Sequence, residues 1–315
     1  MREYNDKIRQ IAKSLLETGR VDMVIGFTDG TLPMKSVPYC AGSVEAADKL
    51  MIDAFSGVNL ANYLTGRKEK IGIVARGCDS RSIVNHIVEN KIGREQLVII
   101  GVPCTGMADG EKVTVTYGGQ ISEVVEEDGL LTVRGDQGER KIEKSAVMDD
   151  CCAVCVHRNP VIYDELAGEP VPEQDGTGKY EMVEAVEKMS ADEKWDYFES
   201  MFASCIRCYA CRNACPLCYC PTCFVDETGP QWVGKGQNET DVRTFHFLRA
   251  YHCAGRCVDC GACVRACPMD INVRLLTKKL EKDCLDLFDW EAGISSEKRP
   301  VLDVFSPKDP DEFIR

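Results

Sequence analysis

Several absences narrow what this 315-residue chain does. It has no run of about 18 apolar residues that would span a bilayer. Its opening, MREYNDKIRQ, is charged at once and has no apolar secretory core. We therefore expect a soluble, cytoplasmic protein that meets a membrane only through another subunit. Positive charge is also in deficit, with 38 Lys and Arg against 51 Asp and Glu. The net charge of -13 excludes a nucleic-acid partner, because phosphate binding needs Lys and Arg clustered on one face. Histidine is scarce, and the 4 present form no HExxH pair. No G-x-G-x-x-G follows a strand. The nearest approach to a phosphate loop, Gly229 to Gly236, places Gly236 where Ser or Thr should ligate magnesium, so it reads as a connecting loop.

Cysteine, by contrast, is abundant. There are 19, an odd number packed in clusters within an acidic chain, which reads as metal-thiolate chemistry rather than secreted disulfides. Twice the chain carries C-x2-C-x2-C-x3-C-P: Cys205, Cys208, Cys211, Cys215, Pro216, and then Cys257, Cys260, Cys263, Cys267, Pro268. Three cysteines at two-residue intervals wrap one loop around a cubane cluster, and a distant fourth closes it. In two-cluster proteins that fourth ligand belongs to the other cluster. We therefore expect one 4Fe-4S cluster on Cys205, Cys208, Cys211 and Cys267, and a second on Cys257, Cys260, Cys263 and Cys215. A disulfide framework or a zinc site is the plainer alternative.

Taken in order, residues 1 to 18 place Ile8, Ile11, Ala12, Leu15 and Leu16 on one helical face, with Gly19 as the stop. Val21 to Phe27 predicts a strand, Asp29-Gly30 a turn, and Ala46 to Leu64 a mostly helical stretch. Ile71 to Ala75, the Gly77 to Arg81 turn, a helix from Ile83 to Glu89 and a strand from Leu97 to Val102 read as a parallel β-α-β unit. Cys78 and Cys104 follow its two strand ends at one sheet edge, where sites in α/β folds gather. Gly77, Asp79, Ser80 and Arg81 also open a helix. They suit a phosphate, or Asp79 and Ser80 simply cap the helix. From Lys112 to Arg134 alternation predicts an antiparallel meander of Val113–Tyr117, Ile121–Val125 and Leu130–Val133.

Cys152-x2-Cys155 is half a metal site. Gly168 to Lys179 reads as a linker, and Ser190-x2-Glu193 as a capping box opening the helix that leads to Cys205. Helical spacing recurs over Asp241–Tyr251 and Ile271–Phe288. Cys218, Cys220 and Cys223 lack a fourth partner: they join a further cluster with Cys151, Cys152 or Cys155, or pack beside the second one. Cys40, Cys253 and Cys284 read as structural thiols, with Cys253 one helical turn before Cys257 and so open to redox chemistry. His246 and His252 read as packed. The division expected is an α/β domain over 1–165, a linker over 166–189, a mostly helical two-cluster ferredoxin domain over 190–290 and an extended tail over 291–315.

Gly77-Cys-Asp-Ser-Arg81, Gly101-Val-Pro-Cys104, the Cys152-x2-Cys155 run with Asn159-Pro160, and Cys205 to Cys223 together resemble the beta-subunit family of coenzyme F-420-reducing hydrogenases and formate dehydrogenases, in a bacterial-type variant fused to a two-cluster ferredoxin unit. The resemblance implies an α/β domain bearing a flavin, FAD, with one 4Fe-4S cluster of its own. It implies electron exchange with a catalytic subunit of formate dehydrogenase or hydrogenase type, or with heterodisulfide-reductase-like subunits. On that basis Gly77 to Arg81 lie at the flavin phosphates. A third 4Fe-4S cluster falls to Cys78, Cys104, Cys152 and Cys155, whose rivals are free thiols at Cys78 and Cys104, or Cys218, Cys220 and Cys223 in their place. The function expected is an electron relay, the alternative a self-standing flavin and iron-sulfur enzyme acting on a soluble hydride carrier.

Overall fold

In the computed structural model, residues 2–304 and 307 are described. The chain opens with helix α1 (Arg2–Glu17), whose Ile8, Ala12 and Leu15 are buried at i, i+4 and i+7 on one stripe. Gly19, at φ +65°, ends the run in the left-handed conformation that glycine adopts without cost. Strands β1 (Met23–Asp29) and β2 (Ser36–Ala41) form a hairpin. Strand β3 (Ile71–Ala75), helix α2 (Gly77–Val88) and strand β4 (Leu97–Gly101) form the β-α-β unit, β3 and β4 being parallel in the register Ile71↔Leu97 to Ala75↔Gly101.

After helix α3 (Gly110–Tyr117) come β5 (Ile121–Glu127), β6 (Leu130–Gly135) and β7 (Gly138–Glu143), then α4 (Asp150–Ala153) and β8 (Glu165–Leu166). One sheet has the order β2-β1-β3-β4-β8, parallel except for the β1–β2 pair, and the meander β5-β6-β7 forms a second, antiparallel sheet. The rest is helical: α5 (Glu181–Glu187), α6 (Ala191–Phe202), α7 (Ala210–Asn213), α8 (Glu239–Tyr251), α9 (Ala262–Arg265) and α10 (Arg274–Phe288). Three apolar cores follow: one on the larger sheet around Ile25, Ile73 and Ile99, one under the meander around Tyr117 and Leu131, and one around Phe245 and Ile271 in the helical half. Among the described residues no helix is long and apolar enough to cross a membrane.

Some expectations need correction. Val113 to Tyr117 is helix, not strand. Asp109 caps it by accepting from Glu111 N and Lys112 N, Gly118 closes it at φ +76°, and Val113 and Tyr117, four residues apart, share its buried face. Ala46 to Leu64 is irregular, with short 3-10 turns at Ala46–Lys49 and Leu60–Tyr63. Polar side chains take the backbone donors a helix would need: Asp53 accepts from Phe55 N and Asn59 from Ala61 N. The meander gains β7 in place of the Val113 segment.

The helix expected to open at Ile83 begins at Gly77, so the supposed turn is its first turn. The segment read as a linker is tied down: Glu173 accepts from Arg158 N and Asn159 N, and Gln174 Nε2 donates to the carbonyls of Cys152 and Cys155 at 3.0 and 2.9 Å. The capping box at Ser190 and Glu193 forms as expected. Most of the expected tail past Val304 lies outside the described residues; before that point Val301–Asp303 is a 3-10 turn, and Arg299 donates to Val88 O.

Candidate functional site

The two cysteine motifs fold into matching loops. In each, the residues two and four places after the first cysteine are left-handed: Arg207 (φ 51°) and Tyr209 (φ 60°) in the first, Asp259 (φ 56°) and Gly261 (φ 70°) in the second. For Arg and Tyr that conformation is strained. It turns backbone N-H groups inward, so that Arg207 N donates to Cys205 Sγ and Asp259 N to Cys257 Sγ, each at 3.4 Å. Ile271 N likewise donates to Cys267 Sγ at 3.4 Å. The short helices α7 and α9 then carry Cys211 and Cys263.

Two cavities result. One of about 320 Å³, open mouth included, is lined by Cys205, Cys208, Cys211 and Cys267, with Phe245 and His246 beside them. The other, of about 400 Å³, is lined by Cys215, Cys257, Cys260 and Cys263, with Cys253, Arg249 and Arg274. Of the motif cysteines, each cavity thus draws three from one motif and one from the other, and Cys253 joins the second cavity. Burial pushes the Cys211 and Cys260 thiols up to about 11, so these groups ionise only where positive charge meets them.

Charge around the cavities is arranged with care for the interior. Arg249 is 3% exposed, donates Nη2 to Cys211 O at 3.0 Å and lines the second cavity, so it stands between the two. Among the described residues no carboxylate pairs with it, and its Nε has no partner. A buried guanidinium without a carboxylate is costly unless other negative charge compensates it. Burial acts to lower its pKa, and the thiolates of Cys263, Cys215, Cys253 and Cys211 outweigh that. Asp259 accepts from Arg274 Nη2 and Lys278 Nζ, both at 2.8 Å; burial would raise its pKa, and these two cations hold it below the usual range. His246 stacks on Phe202 with ring centroids 4.4 Å apart and has Nε2 3.2 Å from Cys205 Sγ. Burial lowers its pKa to about 4, so it is neutral near pH 7 and packed, as expected.

The remaining expected ligands lie at the seam between the halves. Cys78 is the second residue of α2; burial raises its thiol's pKa, and Asp79, Cys260 and Cys104 add to that against Arg76. Burial pushes the Cys155 thiol up to about 11, with Cys104 and Cys151 adding to it, and a Cβ on Gly106 would lie 3.4 Å from the Cys152 Cβ. Cys151, whose Sγ is 3.9 Å from that of Cys152, packs so tightly on the second loop that a Cβ on Gly261 would come within 2.4 Å of it. Arg265 staples this corner, pairing with Asp149 at 2.7 Å and donating to Gly57 O and Cys260 O, each at 2.6 Å. Cys218 lies with Cys215 and Cys253, while Cys220 is exposed and Cys223 packs in the helical core.

Gly77, Asp79, Ser80 and Arg81 are each engaged within the protein itself. A Cβ on Gly77 would sit 2.0 Å from His157 O, so the 157–159 backbone covers this helix start. Asp79 accepts from Arg76 N and pairs with the Arg76 guanidinium at 2.7 Å. Ser80 Oγ donates to Gly77 O and accepts from Val161 N, and Arg81 donates to Ala292 O at 2.7 Å. Capping by Asp79 is the role the geometry gives this turn. The same helix then reaches into the helical half: Asn85 Nδ2 donates to Arg256 O at 2.8 Å, His86 Nε2 to Pro216 O at 2.6 Å, and Glu89 pairs with Arg256 at 2.6 Å. Sequence reasoning missed this seam, Arg249 and the neighbours of Cys253; only the i, i+4 spacing of Cys253 and Cys257 hinted at the last.

The chain is thus a mixed α/β protein whose helical half encloses two cysteine-lined cavities. No family model matches it. It is 23% identical to the F420-dependent formate dehydrogenase subunit beta of Methanocaldococcus jannaschii, over 96% of this chain and 95% of that one. With the F420-dependent formate dehydrogenase 1 subunit beta of Methanococcus maripaludis it shares 24% identity over 95% of this chain and 93% of that one. The chain is a relative of these formate dehydrogenase beta subunits, as its motifs led us to expect. A chain of the F420-reducing [NiFe] hydrogenase complex from Methanosarcina barkeri superposes with a TM-score of 0.41 at 14% identity, covering 65% of this chain and 90% of that one. That partial likeness carries no functional argument.

Proposed function

We propose that this chain is the iron-sulfur electron-relay subunit of a formate dehydrogenase-type oxidoreductase and works beside a separate catalytic subunit. Cys205, Cys208, Cys211 and Cys267 hold one 4Fe-4S cluster, and Cys257, Cys260, Cys263 and Cys215 hold the other, in the helical ferredoxin arrangement. The observation that carries this reading is the sorting of the eight motif cysteines into two cavities with a crossed fourth member. Each cluster supplies one-electron chemistry. The chain's own contribution would be to orient the ligating sulfurs through backbone N-H groups and to set the Arg249 cation beside them. The two relatives, both named as beta subunits of F420-dependent formate dehydrogenases, support the partner class.

Cys78, Cys104, Cys152 and Cys155 hold a third cluster, next to the second through Cys260 and Cys151. A third cluster there would adjoin the second cavity, and Cys208 is the exposed cysteine of the first motif. No flavin step is assigned to Gly77 to Arg81. The test is anaerobic purification of the full chain with its native partners. About 12 irons per chain are expected, falling to about eight in Cys155→Ala. Steady turnover of NADH or reduced coenzyme F-420 by the lone chain with an artificial acceptor would refute the relay and establish the self-standing enzyme.

A further inference from the structure

Cys218 and Cys253 belong to neither cavity's set of four, yet the Sγ atoms of Cys215, Cys218 and Cys253 all lie within 4.8 Å of one another. Cys218 and Cys253 come from separate stretches of chain, Cys218 from the one that carries Cys215. Cys218 N bonds to Cys215 O at 3.1 Å, and Cys253 closes the turn after α8, its N bonded to Ala250 O and its carbonyl accepting from Cys257 N, each at 2.9 Å. Backbone bonds therefore fix both thiols against the sulfur that closes the second cavity. Cys253 is 3% exposed and Cys218 is half-buried. The second cavity adds an independent feature: it is lined by Cys253 together with Arg249, a buried cation whose Nε has no partner.

We propose that Cys218 and Cys253 form a redox-active dithiol, a two-electron store that charges and discharges through the second cavity. This rests on the relay reading, because Cys215 is then both a cluster ligand and the contact to the pair. On oxidation the two S-H bonds break and one S-S bond forms at about 2.05 Å, between sulfurs that already lie within 4.8 Å of each other. Two protons leave to solvent. Two electrons leave one at a time to a one-electron oxidant, ferricyanide in the test below and, in the complex, the iron-sulfur cluster that Cys215 would hold. The reverse flow reopens the bond. A chain of one-electron carriers thereby gains a site that handles electrons in pairs, matching a catalytic subunit that releases them in pairs.

The test uses the full chain, anaerobically reconstituted, oxidised with ferricyanide, desalted and titrated with dithionite. Wild type should take up two electrons more than Cys253→Ser or Cys218→Ser at equal iron content. Non-reducing peptide maps should show a Cys218–Cys253 cross-link in the oxidised sample that is gone after reduction. Equal electron counts, or both cysteines blocked by N-ethylmaleimide in the oxidised sample, would overturn the proposal. So would loss of iron in either variant, which would make that cysteine a cluster ligand, or one zinc per chain lost with Cys218→Ser, since thiolates on one tetrahedral ion sit about 3.8 Å apart. An iron-free wild type would sink the relay reading, while the peptide map would still decide the dithiol.

Discussion

Replacing Asp259 by Asn tests the second loop with little change of shape. Asp259 stands between Cys257 and Cys260 at φ 56°, a conformation Asn tolerates as well as Asp does, so the change removes charge and little else. The carboxylate is 11% exposed and bonds Arg274, 6% exposed, and Lys278, 1% exposed. Glu281 also reaches Lys278, at 3.0 Å, but it shares itself with Lys179 at the same distance. Without Asp259 one buried positive charge has no counterpart. Breaking a buried pair in this way costs about 3–5 kcal/mol, and because the Asn amide oxygen still accepts one hydrogen bond we take the lower end, about 3 kcal/mol. At roughly 2 °C per kcal/mol for a chain of this size, the unfolding midpoint should fall by about 6 °C. The assay is circular dichroism of the anaerobic protein at a fixed scan rate, with iron retained measured in parallel. Asp259→Asn combined with Lys278→Met should recover more than half of the loss, because it restores neutrality. A single variant within about 1 °C of wild type, or a double variant no better than the single, would refute the charge argument.

The other expectations use different readouts. Cys267→Ser and Cys208→Ser should each remove about four irons and together still about four, whereas Cys267→Ser with Cys260→Ser should remove about eight; the opposite pattern would undo the crossed assignment. Gly77→Ala drives a Cβ against the backbone of His157 and Asn159, so overpacking should cost about 1–3 kcal/mol and deplete iron at the Cys152–Cys155 hook before the other sites. Glu291 bonds His157 at 2.7 Å; burial acts to raise its pKa, and His157, Arg81 and Lys179 bring it down to about 2. Its folded value lies below its unfolded one, so its stabilisation is complete above about pH 4.5 and is lost as pH falls towards 2. The midpoint gap between wild type and Glu291→Gln should therefore be constant from pH 7 to about 5 and close below that, as thermal unfolding across pH would show.

Much of the fold is legible because local signals agreed with burial. Ile71 to Ala75 and Leu97 to Gly101 are apolar runs with a helix between them, and they pair in parallel at the heart of the sheet. The segment Val113-Thr-Val-Thr-Tyr117 misleads because its alternation suits a strand while Val113 and Tyr117 also suit a helix, and the cap at Asp109 decides the matter. Strand β2 hides behind Pro38, tolerated because β2 is the edge of the sheet. At the site, cysteine spacing conveys which thiols share a loop. It cannot convey that His157 O closes the start of α2, that Arg249 lies between two loops, or that Cys253 meets Cys218, since each is a contact between distant segments.

The exchange of Cys215 and Cys267 between loops also bears on how the chain is made. A ribosome releases the first motif while the cysteine that closes its cavity is still unmade. The stretch from Cys211 to Cys267 takes about 3 to 11 s to synthesise at 5–20 residues per second. During that interval three thiols of the first motif stand together without their fourth. The second cavity has its four motif cysteines once translation has passed Cys263 and the first once it has passed Cys267, so both sets are complete at almost the same moment, late in synthesis and after the α/β half has been made.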